Sequence, residues 1–262
     1  MKFFDSHCHL QFDAFDGLRD KIVDEIIKND SRVINVGSSI ENSESGVLLS
    51  KKYPGNLFSS VGVHPFHSLG FEIYKDKEEN VNETKYPQDL ELLRGMIDEN
   101  VKAIGECGID FSYLKDLEGD KEGFKKMQIE CFKFQIKLAQ EFNLPLILHV
   151  RKEYILALEI LKEMGYMGKA VFHFFKGKYS DFEEIVKNEN YFFGFSNVIT
   201  YDDSMDKVIL NVPLERLLIE TDAPYVAPLC KKGEINEPKN VFYVAEKIGS
   251  VLGVDTKYIL DI

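Results

Sequence analysis

Two histidines stand two apart in Asp5-Ser6-His7-Cys8-His9, near the start of the chain. On an extended strand both imidazoles project to one face and Cys8 to the other, a natural beginning for a Zn, Mn or Fe site. On its own the pair suits polar residues at a strand end equally well. Glu106 lies in Ile104-Gly105-Glu106-Cys107-Gly108, where the glycines allow backbone or ligand to approach closely. A carboxylate buried there needs a cation, either one or two metal ions or Arg151 in a structural ion pair. His149-Val150-Arg151 sets an imidazole and a guanidinium on one side of a strand, the first able to bind metal and the second able to grip an anionic oxygen with two bonds. His173 follows Ala170-Val171-Phe172 and fits either a ligand or a satisfied core histidine. Asp222, before Ala223-Pro224, can shape a turn or can ligate a metal and take a proton from an attacking water. Glu220, two residues earlier, can support it.

The elements that must position these groups alternate. Short β-branched or aromatic runs, expected as strands at Lys2–His9, Arg32–Ser38, Phe58–Val63, Ala103–Glu106, Leu146–His149, Ala170–His173, Tyr191–Phe195 and Leu217–Thr221, are each followed by a segment of helical period. The clearest helix is expected over Lys121–Phe142, with Phe124, Met127, Cys131, Phe134, Leu138 and Phe142 as its apolar stripe. Others are expected at Leu18–Asn29, Ser43–Lys52, Gln88–Glu99, Lys152–Met164, Phe182–Asn188, Ser204–Leu210 and Lys239–Leu252, with Asn143, Gly165 and Gly253 as stop signals. No Gly-rich dinucleotide loop follows any strand, so a closed (β/α)8 TIM-type barrel is favoured over an open doubly wound sheet. Of the 6 histidines, His7, His9, His64, His149 and His173 fall at or just past the ends of expected strands. Those ends open onto the catalytic face of such a barrel. The polar run Asp76–Lys85 reads as a solvated insertion.

A chain of 262 residues fits a single barrel domain spanning 1–262. The sequence has no secretory h-region and no run approaching a membrane span, which points to the cytoplasm. Its 4 cysteines lack CxxC spacing and read as reduced thiols. With 32 basic and 44 acidic side chains, the net charge of −12 excludes a general DNA-coating protein. Any nucleic-acid contact must come from a local basic patch or from bound metal. Oligomeric state is open, and a monomer is compatible with everything above.

The motifs taken together resemble the TatD family of metal-dependent deoxyribonucleases, within the wider amidohydrolase-type barrels. The resemblance runs from Phe4 to about Gly253. Besides the segments around His7, His149 and His173, it rests on Gly62-Val63-His64-Pro65, Gly105-Glu106-Cys107-Gly108-Ile109-Asp110, Glu220-Thr221-Asp222-Ala223-Pro224-Tyr225 and Asn236-Glu237-Pro238. It implies a site for two divalent ions (Zn, Mn, Mg or Fe). His7, His9, Glu106 and Asp222 would hold one ion and Glu106, His149 and His173 the other, with Glu106 as the bridge where many related amidohydrolases carry a carboxylated lysine. It further implies His64 and Arg151 on substrate phosphate. The expected reaction is phosphodiester hydrolysis of DNA, as single strands or ends and in 3'–5' exonuclease fashion, by a hydroxide that the two metals activate and whose proton Asp222 accepts. A carboxylic ester, lactone or amide hydrolase on the same barrel is the alternative, and a non-catalytic metal-binding scaffold a more distant one. The chain departs from the family pattern at Lys231-Lys232-Gly233-Glu234-Ile235, usually more basic, at Phe174, at His67, and after Gly253, where the usual stretch rich in Asn, Arg and Phe is missing.

Overall fold

The computed structural model describes residues 1–69, 89–116 and 119–262. The expected insertion at Asp76–Lys85, and Gln88 at the start of the third expected helix, lie outside the described residues. The strands are β1 (Phe4–Cys8), β2 (Arg32–Asn35), β3 (Leu57–Val61), β4 (Val101–Asp110), β5 (Leu146–Arg151), β6 (Ala170–Phe172), β7 (Tyr191–Phe195) and β8 (Leu217–Ile219). They form one parallel sheet in the order β1 to β8. The described helices are α1 (Arg19–Lys28), α2 (Ile40–Lys52), α3 (Leu90–Met96), α4 (Lys121–Phe142), α5 (Tyr154–Glu163), α6 (Tyr179–Ile185), α7 (Asp206–Ile209), α8 (Val241–Leu252) and α9 (Thr256–Asp261).

The sheet curls until its first and last strands meet. Cys8 bridges Ala223 in parallel, the His9 N–H donates to Ala223 O at 2.8 Å, and the Asp222 N–H donates to His7 O at 2.9 Å. The eight-stranded (β/α)8 barrel expected from the sequence is therefore present, with its seam running through the residues singled out for chemistry.

Strand alternation divides the core. Ile104, Leu146, Leu148, Phe172 and Phe193 pack outward against Cys131, Phe132, Ile136 and Ala139 of α4 and the neighbouring helices. Val36, Ala103 and Ile147 form a small separate cluster on the opposite strand face, inside the barrel. His149 lies two residues beyond Ile147 on β5 and so shares the interior face, one layer higher.

Several elements begin or end a few residues from their expected bounds, among them β2, α2, α3 and α6, and three elements differ further. β4 continues four residues past Glu106, because Gly105 and Gly108, read as allowing close approach, sit where a Cβ would lie 2.4 Å from Ile147 O and 2.2 Å from His149 O. β4 can thus run unusually close to β5. α4 has the expected ends, with Asn143 left-handed at its C-cap (φ 52°). Phe124, Cys131 and Leu138 of the expected stripe are buried, but that face also carries Gln128, Phe132, Gln135 and Ile136, and Phe142 is exposed. Beyond Gly253 (φ 70°) the chain forms α9, which was not expected and which buries Ile259 against the core. All 4 cysteines are free thiols, and no helix among the described residues is long and apolar enough to cross a membrane.

Candidate metal centre

The seam between β1 and β8 orients the first donors. Asp5 is fully buried and accepts the Thr221 N–H (2.9 Å), the Thr221 hydroxyl (2.5 Å) and the His7 N–H (3.2 Å). Burial pushes its carboxyl well above the usual range against these bonds. Asn236, also fully buried, donates to Thr221 O, Tyr225 O and Val226 O at 3.0, 2.8 and 3.1 Å. It thereby staples the turn that carries Asp222, whose φ of +57° an Asp tolerates.

Around this seam His7 Nε2 lies 3.2 Å from His9 Nε2, 3.5 Å from Asp222 Oδ1 and 3.6 Å from Glu106 Oε2. His9 Nε2 is also 3.5 Å from Asp222 Oδ1. The second carboxylate oxygen of Glu106 faces elsewhere: Oε1 is 2.6 Å from His173 Nε2 and 2.8 Å from His149 Nδ1, and those two nitrogens are 3.3 Å apart. Glu106 thus stands between His7 on one side and His149 and His173 on the other, and His7 also comes within ligand-sharing distance of His173 and Asp222.

A polar group on the far side of a ring helps to choose its tautomer. His9 Nδ1 lies 2.8 Å from Val36 O, so it carries the proton and leaves Nε2 bare. His173 Nδ1 is 3.4 Å from Glu220 Oε1, within ion-pair range but not hydrogen-bonded to it, and that oxygen accepts the Phe174 N–H at 2.6 Å. His149 Nε2 is 3.2 Å from Asp110 Oδ2. His64 behaves oppositely. Its Nδ1 accepts the Phe66 N–H at 3.1 Å, so the neutral ring carries its proton on Nε2, 3.8 Å from Glu106 Oε1. His64 comes close enough to Glu106 and His149 to complete a third donor triplet, yet as a donor of N–H it suits an anionic oxygen better than a cation.

The first donor set, His7, His9, Glu106 and Asp222, has the spacing of a divalent-cation site, whereas Glu106 lies at hydrogen-bond distance from His173 and His149, 2.6 and 2.8 Å. Bonds of about 2.0–2.1 Å to imidazole and carboxylate in a tetrahedron imply donor separations of roughly 3.3 Å, and the first set spans 3.2–3.6 Å. Two imidazole nitrogens and two carboxylate oxygens converge there largely out of contact with water, an arrangement that a positive charge between them would stabilise. Mixed imidazole and carboxylate donors accommodate Zn, Mn or Fe, and Mg less readily.

Electrostatics without a metal show the same pull. Burial would raise Glu106, but His173, His64 and His149 outweigh it and hold the carboxyl well below the usual range. Burial would lower His173, but Glu106 overrides it and raises the imidazole well above its ordinary value. His149 is raised in the same way, its burial overcome by Asp110 and Glu106. Burial, then the neighbouring His173, lowers His7. Burial and the nearby His149 lower His64 well below its ordinary value. Asp222, despite burial, is lowered by His9 and His7.

A cleft of about 950 Å³ opens above the cluster, lined by His64, Phe66, Tyr113, Arg151, Phe174 and Tyr225 among others. Arg151 is exposed at the rim with its guanidinium carbon 5.9 Å from the Tyr113 ring centre. Among the described residues it forms no ion pair with Glu106, whose partners are histidines. Lys152, Lys176 and Lys178 also line the cleft, a local basic rim on an acidic protein. The lysines, Asp110 and the role of Asn236 escaped the sequence reading. Asp110 had a signal, since it closes the segment that carries Glu106.

Known proteins share this framework. The profile of the TatD related DNase family matches residues 4–262. A protein of Buchnera aphidicola, named as an uncharacterized metal-dependent hydrolase, is 31% identical over 265 residues, covering 97% of this chain and 93% of its own length. One of Methanocaldococcus jannaschii with the same description is 29% identical, covering 100% of this chain and 94% of its own. The crystal structure of YJJV, a TatD homologue from Escherichia coli K12, superposes with a TM-score of 0.79 at 26% identity, covering 99% of this chain and 93% of that one. With the fold, the order of the motifs and the match across nearly every residue in agreement, the chain belongs to the TatD family of metal-dependent hydrolases.

Proposed function

We propose that this hydrolase cleaves phosphodiester bonds in DNA, acting on single strands or ends in 3'–5' exonuclease fashion, with two divalent ions held by His7, His9, Glu106 and Asp222 and by Glu106, His149 and His173. The observation that carries this reading is the division of Glu106, one oxygen toward His7 and the other toward His149 and His173. The family description as a TatD related DNase supports the choice of substrate. Bound ions would supply Lewis acidity at the phosphoryl group and make a water acidic enough to attack at neutral pH.

The chain's own residues account for the remainder. Glu106 is shared by both donor sets and keeps them in register. Asp222 stays ionised and opens partly to the cleft, so its carboxylate takes the proton lost by the attacking water. His64 is held neutral and donates its Nε2–H to a phosphate oxygen. Arg151 offers its planar fork to a second oxygen at the rim, while the lysines draw the polyanion toward an otherwise repellent surface.

The aromatic and apolar wall of Phe66, Phe174, Val198 and Val226 also suits a carboxylic ester, lactone or amide, the competing reading. Metal analysis of gently purified protein, joined to cleavage of fluorescent single-stranded DNA after chelation and add-back of Mg, Mn or Zn, separates the cases. About two ions per chain with restored DNA cleavage supports the nuclease. Bound metal with turnover only on an ester panel moves the substrate to the carbonyl class, and no restorable metal overturns the centre itself.

A further inference from the structure

We infer that Gln128 and Gln135 on α4 are positioning residues for this centre, each clamping the backbone of one strand end so that a working side chain is held in place. Gln128 Oε1 accepts the Asp110 N–H at 3.1 Å and its Nε2 donates to Asp110 O at 2.9 Å. Gln135 Oε1 accepts the Val63 N–H at 2.8 Å and its Nε2 donates to Val63 O at 3.0 Å. A primary amide presents acceptor and donor side by side. It can therefore meet a strand residue whose N–H and C=O point the same way, as a neighbouring strand would.

The need arises from the barrel's uneven strand lengths. β3 pairs with β4 only as far as Val61 opposite Ile104. The chain beyond it at Val63, and the last residue of β4 at Asp110, therefore have backbone groups that no neighbouring strand on that side satisfies. Buried polar groups left in that state are costly. The two glutamines stand seven apart on α4, close to two full turns, so both face the sheet. They are 1% and 0% exposed. A hydrophobic residue would fill either place with no desolvation cost, so the amides are explained by the bonds they make.

What they clamp is the reason to assign more than packing. The Asp110 carboxylate lies 3.2 Å from His149 Nε2, and His149 Nδ1 lies 2.8 Å from Glu106. Gln128 therefore acts through Asp110 on one donor set. Val63 immediately precedes His64, whose own N–H donates to Ser38 O at 2.7 Å. Gln135 therefore acts on the group assigned to substrate.

This inference rests on the metal-centre reading above, and the experiment keeps the two apart. Gln128→Met, Asp110→Asn, their double variant, Gln135→Met and wild type are titrated with Mn²⁺ by calorimetry. Each is assayed for kcat and KM on single-stranded DNA and melted in the metal-free form. Gln128→Met is expected to weaken one Mn²⁺ step about 10-fold, the lower end of the cost of losing a group that orients a ligand. In the Asp110→Asn background the same change should cost less than about twofold, because it acts through Asp110. Gln135→Met should leave Mn²⁺ binding unchanged and raise KM more than it lowers kcat. If Gln128→Met does not fold, Gln128→Glu, which keeps the acceptor for the Asp110 N–H, carries the same comparison. Unchanged Mn²⁺ affinity with a lowered Tm, or additive losses in the double variant, reduces the clamps to structural bonds and overturns the inference. Failure of wild type to bind Mn²⁺ overturns the centre, and the inference with it.

Discussion

Glu106 Oε1 lies 2.6 Å from His173 Nε2, with both side chains buried inside the barrel. Each perturbs the other in the direction that keeps a charge pair, the carboxyl lowered and the imidazole raised. A cation entering the centre must replace the proton that now joins them.

Metal binding is accordingly expected to release protons. Since the folded-state value of His173 is raised, its stabilising contribution to the metal-free protein is complete below about pH 6.5 and is lost as pH rises through the raised value. Metal affinity runs the opposite way and increases with pH. Calorimetry at pH 7 in buffers of different ionisation enthalpy measures the release, and a heat independent of buffer would contradict it.

Glu106→Gln removes the carboxylate shared by both donor sets. Losing a group that merely orients a ligand costs about 10–100-fold in metal affinity, so this change should exceed about 100-fold on at least one ion. Metal content after dialysis gives the answer, and a variant that retains the wild-type stoichiometry would remove Glu106 from the bridge.

Asp222→Asn should lower kcat by about 10²–10⁴, the usual range for loss of a general base, with KM changed far less. Metal content must be measured alongside, because Asp222 is also placed as a ligand. A near-native rate would show that another group takes the proton.

Gly194 makes room for Glu220. A Cβ there would stand 2.4 Å from Glu220 Oε2 and 3.2 Å from the His173 Cα. Gly194→Ala should cost about 1–3 kcal/mol through overpacking and weaken metal binding by disturbing the carboxylate behind His173. At Gly95 on α3 a Cβ would meet nothing within 4 Å among the described residues, and Gly95→Ala should instead stabilise by about 0.4–1 kcal/mol. Urea titrations of the two variants compare directly, and equal shifts would refute the steric argument.

The gathering of the candidate site was legible in the sequence wherever residue type and local spacing suffice. His7 and His9 share a face because a strand has period two, and β7 and α4 have the ends that their patterns announce. Chain order along a parallel barrel places consecutive strand ends on one rim, so the donors could be gathered before any distance was known. Part of the buried face of α4 could not be read this way, because Gln128 and Gln135 look polar in sequence and are buried where Asp110 and Val63 offer backbone groups for them to bond. The extension of β4 through Gly105 and Gly108 depended likewise on the close approach of β5. Which nitrogen of His9, His64 and His149 faces the centre was decided by Val36 O, the Phe66 N–H and Asp110, contacts that residue type alone does not announce. Local periodicity determines which side chains share a strand or helix face. Long-range hydrogen bonds determine how those side chains are aimed, and only the closed barrel brings the partners together.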